Sequence, residues 1–203
     1  MNAREAIARL QGLKVPAVAT SDAAAVLETS ITAASQLLRR LAGAGLVTAV
    51  RKGLWALEPD PDPVALAGYI TAPYPAYVSL QTALYRRGMI QQIPEDIFVV
   101  SLGRAGQVRT RIGNYHVHHI QPALFGGFET PPGSPTGLAT PEKALVDFLY
   151  LSPTRTRLFT ALPEMELPRG FRRAVAREWA RQIPTPRLRT LVQSKLDAVF
   201  AKV

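Results

Sequence analysis

The stretch that most constrains this chain runs from Ser30 to Leu57, where a helical apolar repeat gives way within a few residues to two β-prone runs. Ile31, Ala34, Leu37, Leu38 and Leu41 recur at the spacing that lines one face of an α-helix. Ser30 precedes them, with a side-chain oxygen able to accept a free backbone N–H, so the helix is expected to begin there. Gly43 and Gly45 stop it. Leu46 to Val50 and Leu54 to Leu57 read as strands joined through Arg51-Lys52-Gly53, where the glycine permits a tight turn. Upstream, Asn2 and Glu5 make a capping pair ahead of Ala6, Ile7 and Leu10, a first helix ended by Gly12 and Pro16. Thr20, Ser21 or Asp22 caps a second helix from Ala23 to Leu27.

Three helices followed by a β-hairpin is the order of a winged helix-turn-helix, and the polar side of the third helix carries the chemistry such a module uses. Thr32, Ser35, Gln36 and Arg39 fall at i, i+3, i+4 and i+7 opposite the apolar stripe, with Ala33 and Arg40 beside them. A recognition helix needs this division, because one side packs on its own domain while short polar groups and a guanidinium reach base edges and phosphates. Gln36 has the amide that pairs with adenine and Arg39 the fork that pairs with guanine. Arg51 and Lys52 sit at the hairpin tip, where cations neutralise phosphates and release counterions. The expected DNA-contacting set is Ser30, Thr32, Ser35, Gln36, Arg39, Arg40, Arg51 and Lys52. Two rival readings use the same residues: a helical subdomain with a solvated face, and a winged helix that docks protein.

The 203 residues are enough for one large or two modest domains, and 47% hydrophobic with 19% charged residues is a globular composition. The absence of cysteine excludes disulfides, thiolate catalysis and thiolate metal sites. The N-terminal residues contain no apolar signal region and no run reaches membrane-spanning length, so a cytoplasmic protein is expected, with no membrane partner. The net charge of +9 suits a polyanionic partner but is unevenly spread. Residues 1–60 hold seven Lys/Arg against five Asp/Glu, residues 61–150 six against six, and residues 151–203 eleven against four. The N-terminal reading therefore depends on where its cations are placed.

Pro59, Pro61 and Pro63, interleaved with Asp60 and Asp62, make a stiff acidic connector, and the domain boundary is placed there. Pro63 opens a short helix through Ile70, and Ser79 caps Leu80 to Arg87, closed by Gly88. Ile97 to Leu102 suits a buried strand; Val108 to Ile112 and Tyr115 to Ile120 read as a hairpin around Gly113-Asn114. His116 and His118 project from one strand face, but two imidazoles make an incomplete metal site, and a half-exposed polar face is the preferred reading. Gly126-Gly127 reads as a tight turn, and Pro131 to Gly137 as a loop. Thr140 caps a helix with Pro141 at its first position and Ala144, Leu145, Phe148 and Leu149 inward. Asp147 lies among those apolar positions; an exposed helix face is the commoner fate of a lone Asp and the expected one, with a buried hydrogen-bond network as the alternative. Phe171, Val175, Trp179 and Ile183 form one stripe and Leu188 to Phe200 another, while Arg172, Arg173, Arg177 and Arg181 form a secondary basic surface for DNA, for acidic protein or for solvent. The fold class is thus α+β: a winged helix-turn-helix over residues 1–60, then a mixed α/β domain over 61–203 with a small antiparallel sheet and a basic helical tail.

Several segments together resemble a known family. They are Arg51 to Leu57 (RKGLWAL), Tyr77 to Leu84 (YVSLQTAL), His119 to Gly126 (HIQPALFG) and Leu138 to Asp147 (LATPEKALVD). Over roughly residues 1 to 150 the chain resembles the AbiEi antitoxins of bacterial type IV toxin–antitoxin systems, most distinctively in Ala-Thr-Pro-Glu-Lys-Ala-Leu. The resemblance implies a regulator whose winged helix binds and represses its own operon promoter; inverted repeats in that promoter are an expectation from the dimeric or cooperative habit of such regulators. It also implies a second domain that counters a co-encoded nucleotidyltransferase toxin without a stable complex. Thr140, Glu142, Lys143 and Asp147 carry over as a segment of unassigned role.

An enzyme is the first rival class. A nuclease motif would need an acidic residue two positions before a lysine, and Gly12, Val50, Pro141, Gln193 and Phe200 stand there instead. Neither a Gly-x-Ser-x-Gly elbow nor a glycine-rich phosphate fingerprint is present, so no catalytic residue, metal or cofactor is expected. The second rival is a one-component repressor in which residues 64–203 bind a small effector, with Tyr69, Tyr74, Tyr77 and Tyr85 as candidate pocket aromatics.

Overall fold

The computed structural model describes residues 2–130, 136–151 and 164–202, so most of the loop expected from Pro131 lies outside the described residues. Among them are eight α-helices and two sheets, an α+β architecture. None of the described helices is long and apolar enough to cross a membrane.

The first helix, α1 (Ala3–Gln11), starts where expected: the Asn2 side chain accepts the Glu5 N–H at 2.8 Å. Strand β1 (Ala17–Ala19) follows, then α2 (Thr20–Val26) and α3 (Ile31–Gly43). The hairpin is β2 (Thr48–Arg51) and β3 (Leu54–Ala56), with Gly53 at φ +81° in the turn. Strand β1 pairs antiparallel with β3 on the side away from β2, giving a three-stranded sheet in the order β1-β3-β2. Ala6, Leu10, Leu27, Leu38, Leu41 and Trp55 close the core beneath these helices.

Two expectations fail here for stated reasons. None of Thr20, Ser21 and Asp22 caps α2, which begins at Thr20 itself; the Thr20 hydroxyl oxygen instead accepts the Trp55 indole N–H at 2.9 Å. Ile31 belongs to the helical period but not to the core: it is 62% exposed, whereas Ala34, Leu37, Leu38 and Leu41 are buried. Ile31 is the first helical residue, and the buried stripe begins one turn further on, at Ala34.

Residues 59–63 are pinned along their path: the Thr48 hydroxyl donates to the Pro59 carbonyl at 2.7 Å, and the Tyr115 hydroxyl to that of Pro63 at 2.7 Å. The helix expected from Pro63 forms later, as α4 (Ala67–Thr71). The remaining elements are β4 (Ala76–Val78), α5 (Leu80–Arg86), β5 (Ile97–Ser101), β6 (Gly106–Arg109), β7 (Asn114–His119), β8 (Phe128–Glu129), β9 (Gly137–Ala139), α6 (Pro141–Leu151), α7 (Arg173–Arg181) and α8 (Pro186–Lys202). Instead of the small antiparallel sheet expected here, β6-β7-β5-β4-β9-β8 form a six-stranded mixed sheet, with β5–β7 and β4–β9 parallel.

Both faces of that sheet are covered, which is why β5 reads as an uninterrupted apolar run. Phe98 and Val100 face the core built with α5, α6, α7 and α8. Ile97 and Val99 face the other way, into a core shared with Leu66 and Ile70 and with Ala17, Val50, Leu54 and Ala56 of the three-stranded sheet. The N-terminal sheet and the large sheet therefore bury one common layer of side chains.

Candidate nucleic-acid interface

A groove of about 1030 Å³ opens between α3, the β2–β3 turn and the turn that joins β6 to β7. Five cations line it, Arg39, Arg51, Lys52, Arg109 and Arg111, and no acidic side chain does so among the described residues. Ile31 and Ser35 share the wall of α3 with Arg39.

Each position has a local cause. Ser30 caps α3 by accepting the Ala33 N–H at 3.2 Å, which fixes where the first turn begins. Ile31, Ser35 and Arg39 then stand four residues apart on one row of the helix, and the Arg39 guanidinium donates to the Ser35 hydroxyl at 3.1 Å. The hairpin is tied to the start of α2, where the Thr20 N–H donates to the Gly53 carbonyl at 2.9 Å and Thr20 also receives Trp55. In β2 the register shifts between Ala49 and Arg51, a bulge that turns Val50 into the shared core and leaves Arg51 exposed beside the turn. Arg51 is steadied by a long bond from its guanidinium to the Tyr69 carbonyl at 3.4 Å.

The third wall comes from the chain beyond residue 100. The Arg111 N–H donates to the Val50 carbonyl at 3.1 Å, docking the β6–β7 turn on the bulge. Within that turn the Thr110 hydroxyl donates to the Gly113 carbonyl at 2.6 Å and accepts the Ile112 N–H at 3.2 Å. Arg109 and Arg111 are exposed and complete the cationic ring. Neither arginine belongs to the expected DNA-contacting set. The one signal was their alternation around Thr110, which puts both side chains on the same side of an extended segment.

Of the residues expected at a DNA surface, Ser35, Arg39, Arg51 and Lys52 come together in the groove. Thr32, Gln36 and Arg40 are exposed on α3 outside its lining, and Ser30 serves as the cap. The arginines of the tail lie elsewhere. Arg177 pairs with Asp197 at 2.9 Å, Arg173 and Arg177 stand 5.1 and 5.3 Å from the Phe200 ring, and Arg181 reaches the Arg177 carbonyl at 3.4 Å. The Arg172 N–H donates to Glu142 at 2.8 Å. None of the four lines the groove.

Lys143 and Asp147 take the buried alternative, with both residues 1% exposed. Their side chains form a close ion pair, Lys143 donates to the Tyr77 hydroxyl at 2.7 Å, and Tyr77 and Ser79 donate to Asp147 at 2.9 and 2.8 Å. Ser79 is thus spent on Asp147 and does not cap α5. The ammonium also stands 5.1 Å from the Trp179 ring, and Gly127, at φ +70°, makes room for Lys143 and Trp179 where a Cβ would collide. Burial lowers the Lys143 pKa, and Asp147 opposes that shift. Thr140 accepts the Lys143 N–H at 3.3 Å, as a cap should, and Glu142 holds the start of α7 through Arg172.

His116 is held by Asp96 at 2.7 Å and by Gln107 at 3.2 Å. His118 is pushed down to about 4, first by burial and then by His116, so it is neutral at pH 7. No group of three metal-ligating side chains occurs among the described residues. No protein-family model matches this chain, and no curated protein matches it.

Proposed function

We propose that this chain is a DNA-binding transcriptional repressor of its own operon, built on an N-terminal winged helix-turn-helix, and that it serves as the antitoxin of a type IV toxin–antitoxin system. The observation that carries the DNA reading is the groove: five cations from α3, the hairpin and the β6–β7 connection line one open channel, with no acidic group in its lining among the described residues. In this reading α3 enters the major groove of double-stranded DNA and the β2–β3 hairpin is the wing. Arg39 reads a base edge, while Arg51, Lys52, Arg109 and Arg111 neutralise the flanking phosphates. Thr32, Gln36 and Arg40, exposed on the outer side of α3, meet the same duplex.

The antitoxin half rests on the resemblance to the AbiEi antitoxins alone. It carries a cytoplasmic location and a nucleotidyltransferase toxin, countered without a stable complex, as parts of the same proposal. A second reading has its own observation. Tyr69, Tyr74, Phe125 and Phe128 line a separate cavity of about 460 Å³, suited to a small aromatic effector of a one-component repressor.

Fluorescence anisotropy on the DNA upstream of its own gene, against a scrambled duplex and across a salt series, tests the DNA reading. The native duplex should bind more tightly, and Arg39→Ala should erode that preference by about tenfold. Equal weak binding to both duplexes would overturn it. The antitoxin half predicts a nucleotidyltransferase gene beside its own and relief from growth arrest when the two are co-expressed; a metabolic operon instead would overturn it.

A further inference from the structure

The first turn of α3 holds an apolar side chain in the wrong place for a folded core. Ile31 is 62% exposed, second to Ile93 at 69% among the described large hydrophobic residues, and it lines the cationic groove. The cap sets its place: Ser30 fixes the helix start so that Ile31 is the first helical residue, ahead of the buried Ala34, Leu37, Leu38 and Leu41. Nothing about helix formation asks for isoleucine there, since β-branched residues are mediocre helix formers and alanine would serve better.

We infer that Ile31 reads the C5 methyl group of a thymine in the major groove, a reading that rests on the DNA-binding function proposed above. The surroundings decide the partner. An exposed isoleucine in a groove that Arg39, Arg51, Lys52, Arg109 and Arg111 also line suits a surface that is anionic and carries a small apolar group. The thymine methyl is the apolar group that double-stranded DNA presents in its major groove. The geometry of the row adds a spacing. Ile31 and Arg39 are eight residues apart on one helix, about 12 Å along its axis at 1.5 Å per residue. Laid along the duplex, that distance spans about three to four base-pair steps at 3.4 Å each. The guanidinium of Arg39, steadied by Ser35, then meets a guanine no more than about four base pairs from the thymine that meets Ile31.

Single replacement of thymines by deoxyuridine in the upstream duplex removes only the methyl group and leaves the protein untouched. Binding of the full chain is measured by anisotropy for each duplex. The wild-type protein should lose about three- to tenfold in affinity at one thymine per half-site and little elsewhere. Ile31→Ala should bind the thymine and uracil forms of that site equally, at the level of wild type on the uracil form, with an unchanged melting temperature because the side chain is exposed. Ile31→Val should retain part of the discrimination.

If wild type prefers its native duplex yet no single thymine matters, the inference fails while the DNA reading stands. A uracil penalty that persists in Ile31→Ala also overturns it, by assigning the methyl to another side chain. No preference for the native duplex at all removes the DNA reading and this inference together.

Discussion

The groove and the α6 network handle cationic side chains in opposite ways. Around the groove, Arg39, Arg51, Lys52, Arg109 and Arg111 keep their charges in water with few internal partners, so they add little to folding and remain available to an anion. Beneath α7, Lys143 is sealed from water, and its charge is tolerated because Asp147, Tyr77 and the Trp179 ring surround it. Charge at the surface is available for recognition; charge in the interior is committed to one arrangement of α6, β4 and α7. Cationic side chains thus stay in water in one place and form a structural junction in the other, and burial tells them apart.

Breaking the buried side should have the largest effect. Asp147→Ala leaves an unpaired ammonium among apolar groups and should cost about 3–5 kcal/mol, read as a lower urea midpoint. Adding Lys143→Met should recover part of that loss by removing the stranded charge. A midpoint unchanged in Asp147→Ala would show that the pair is not held as described.

Acid should sharpen the comparison next. His118 has its folded pKa lowered to about 4 from an ordinary 6.5, so its neutral form is the one that fits. Its contribution is complete above about pH 6.5 and is lost as the pH falls from there toward 4, because the unfolded chain takes up the proton first. The loss should be about 2 kcal/mol, after allowance for partial exposure. Thermal melting across that window, with His118→Gln as the flatter control, checks the sign.

On the exposed side, Arg111→Ala should leave the melting temperature unchanged, since the docking bond to Val50 uses its backbone. It should weaken native and scrambled duplexes alike and reduce the salt slope by about 1. The smallest effect belongs to Arg177→Ala, which breaks an exposed pair with Asp197. It should cost about 0.2–1 kcal/mol in unfolding and nothing in DNA affinity.

Much of the local structure was legible. The Asn2, Ser30 and Thr140 caps, the buried part of the α3 stripe, the β2–β3 hairpin and the buried strand β5 all follow from neighbours within a few residues. What misled the reading were side chains with two available uses. Thr20 and Ser79 have the chemistry of caps, yet each is taken by a partner at least 35 residues away. Strand β1 is three residues long, too short for any period to announce it, and exists only because β3 offers an edge. In the site, Arg39, Arg51 and Lys52 could be named from the sequence, whereas Arg109 and Arg111 could not.

By itself the sequence determined where α1, α3 and α6 begin, which residues make the apolar stripe of α3 and where the β2–β3 hairpin turns, because those outcomes are fixed by bonds and contacts between near neighbours. Only the tertiary structure decided that Ile31 stays in water while Lys143 leaves it, and that two arginines beyond residue 100 stand beside a hairpin near residue 50. Those outcomes depend on which distant surfaces meet, and a bulge at Val50 that accepts one backbone N–H from Arg111 is not written in the residues around either.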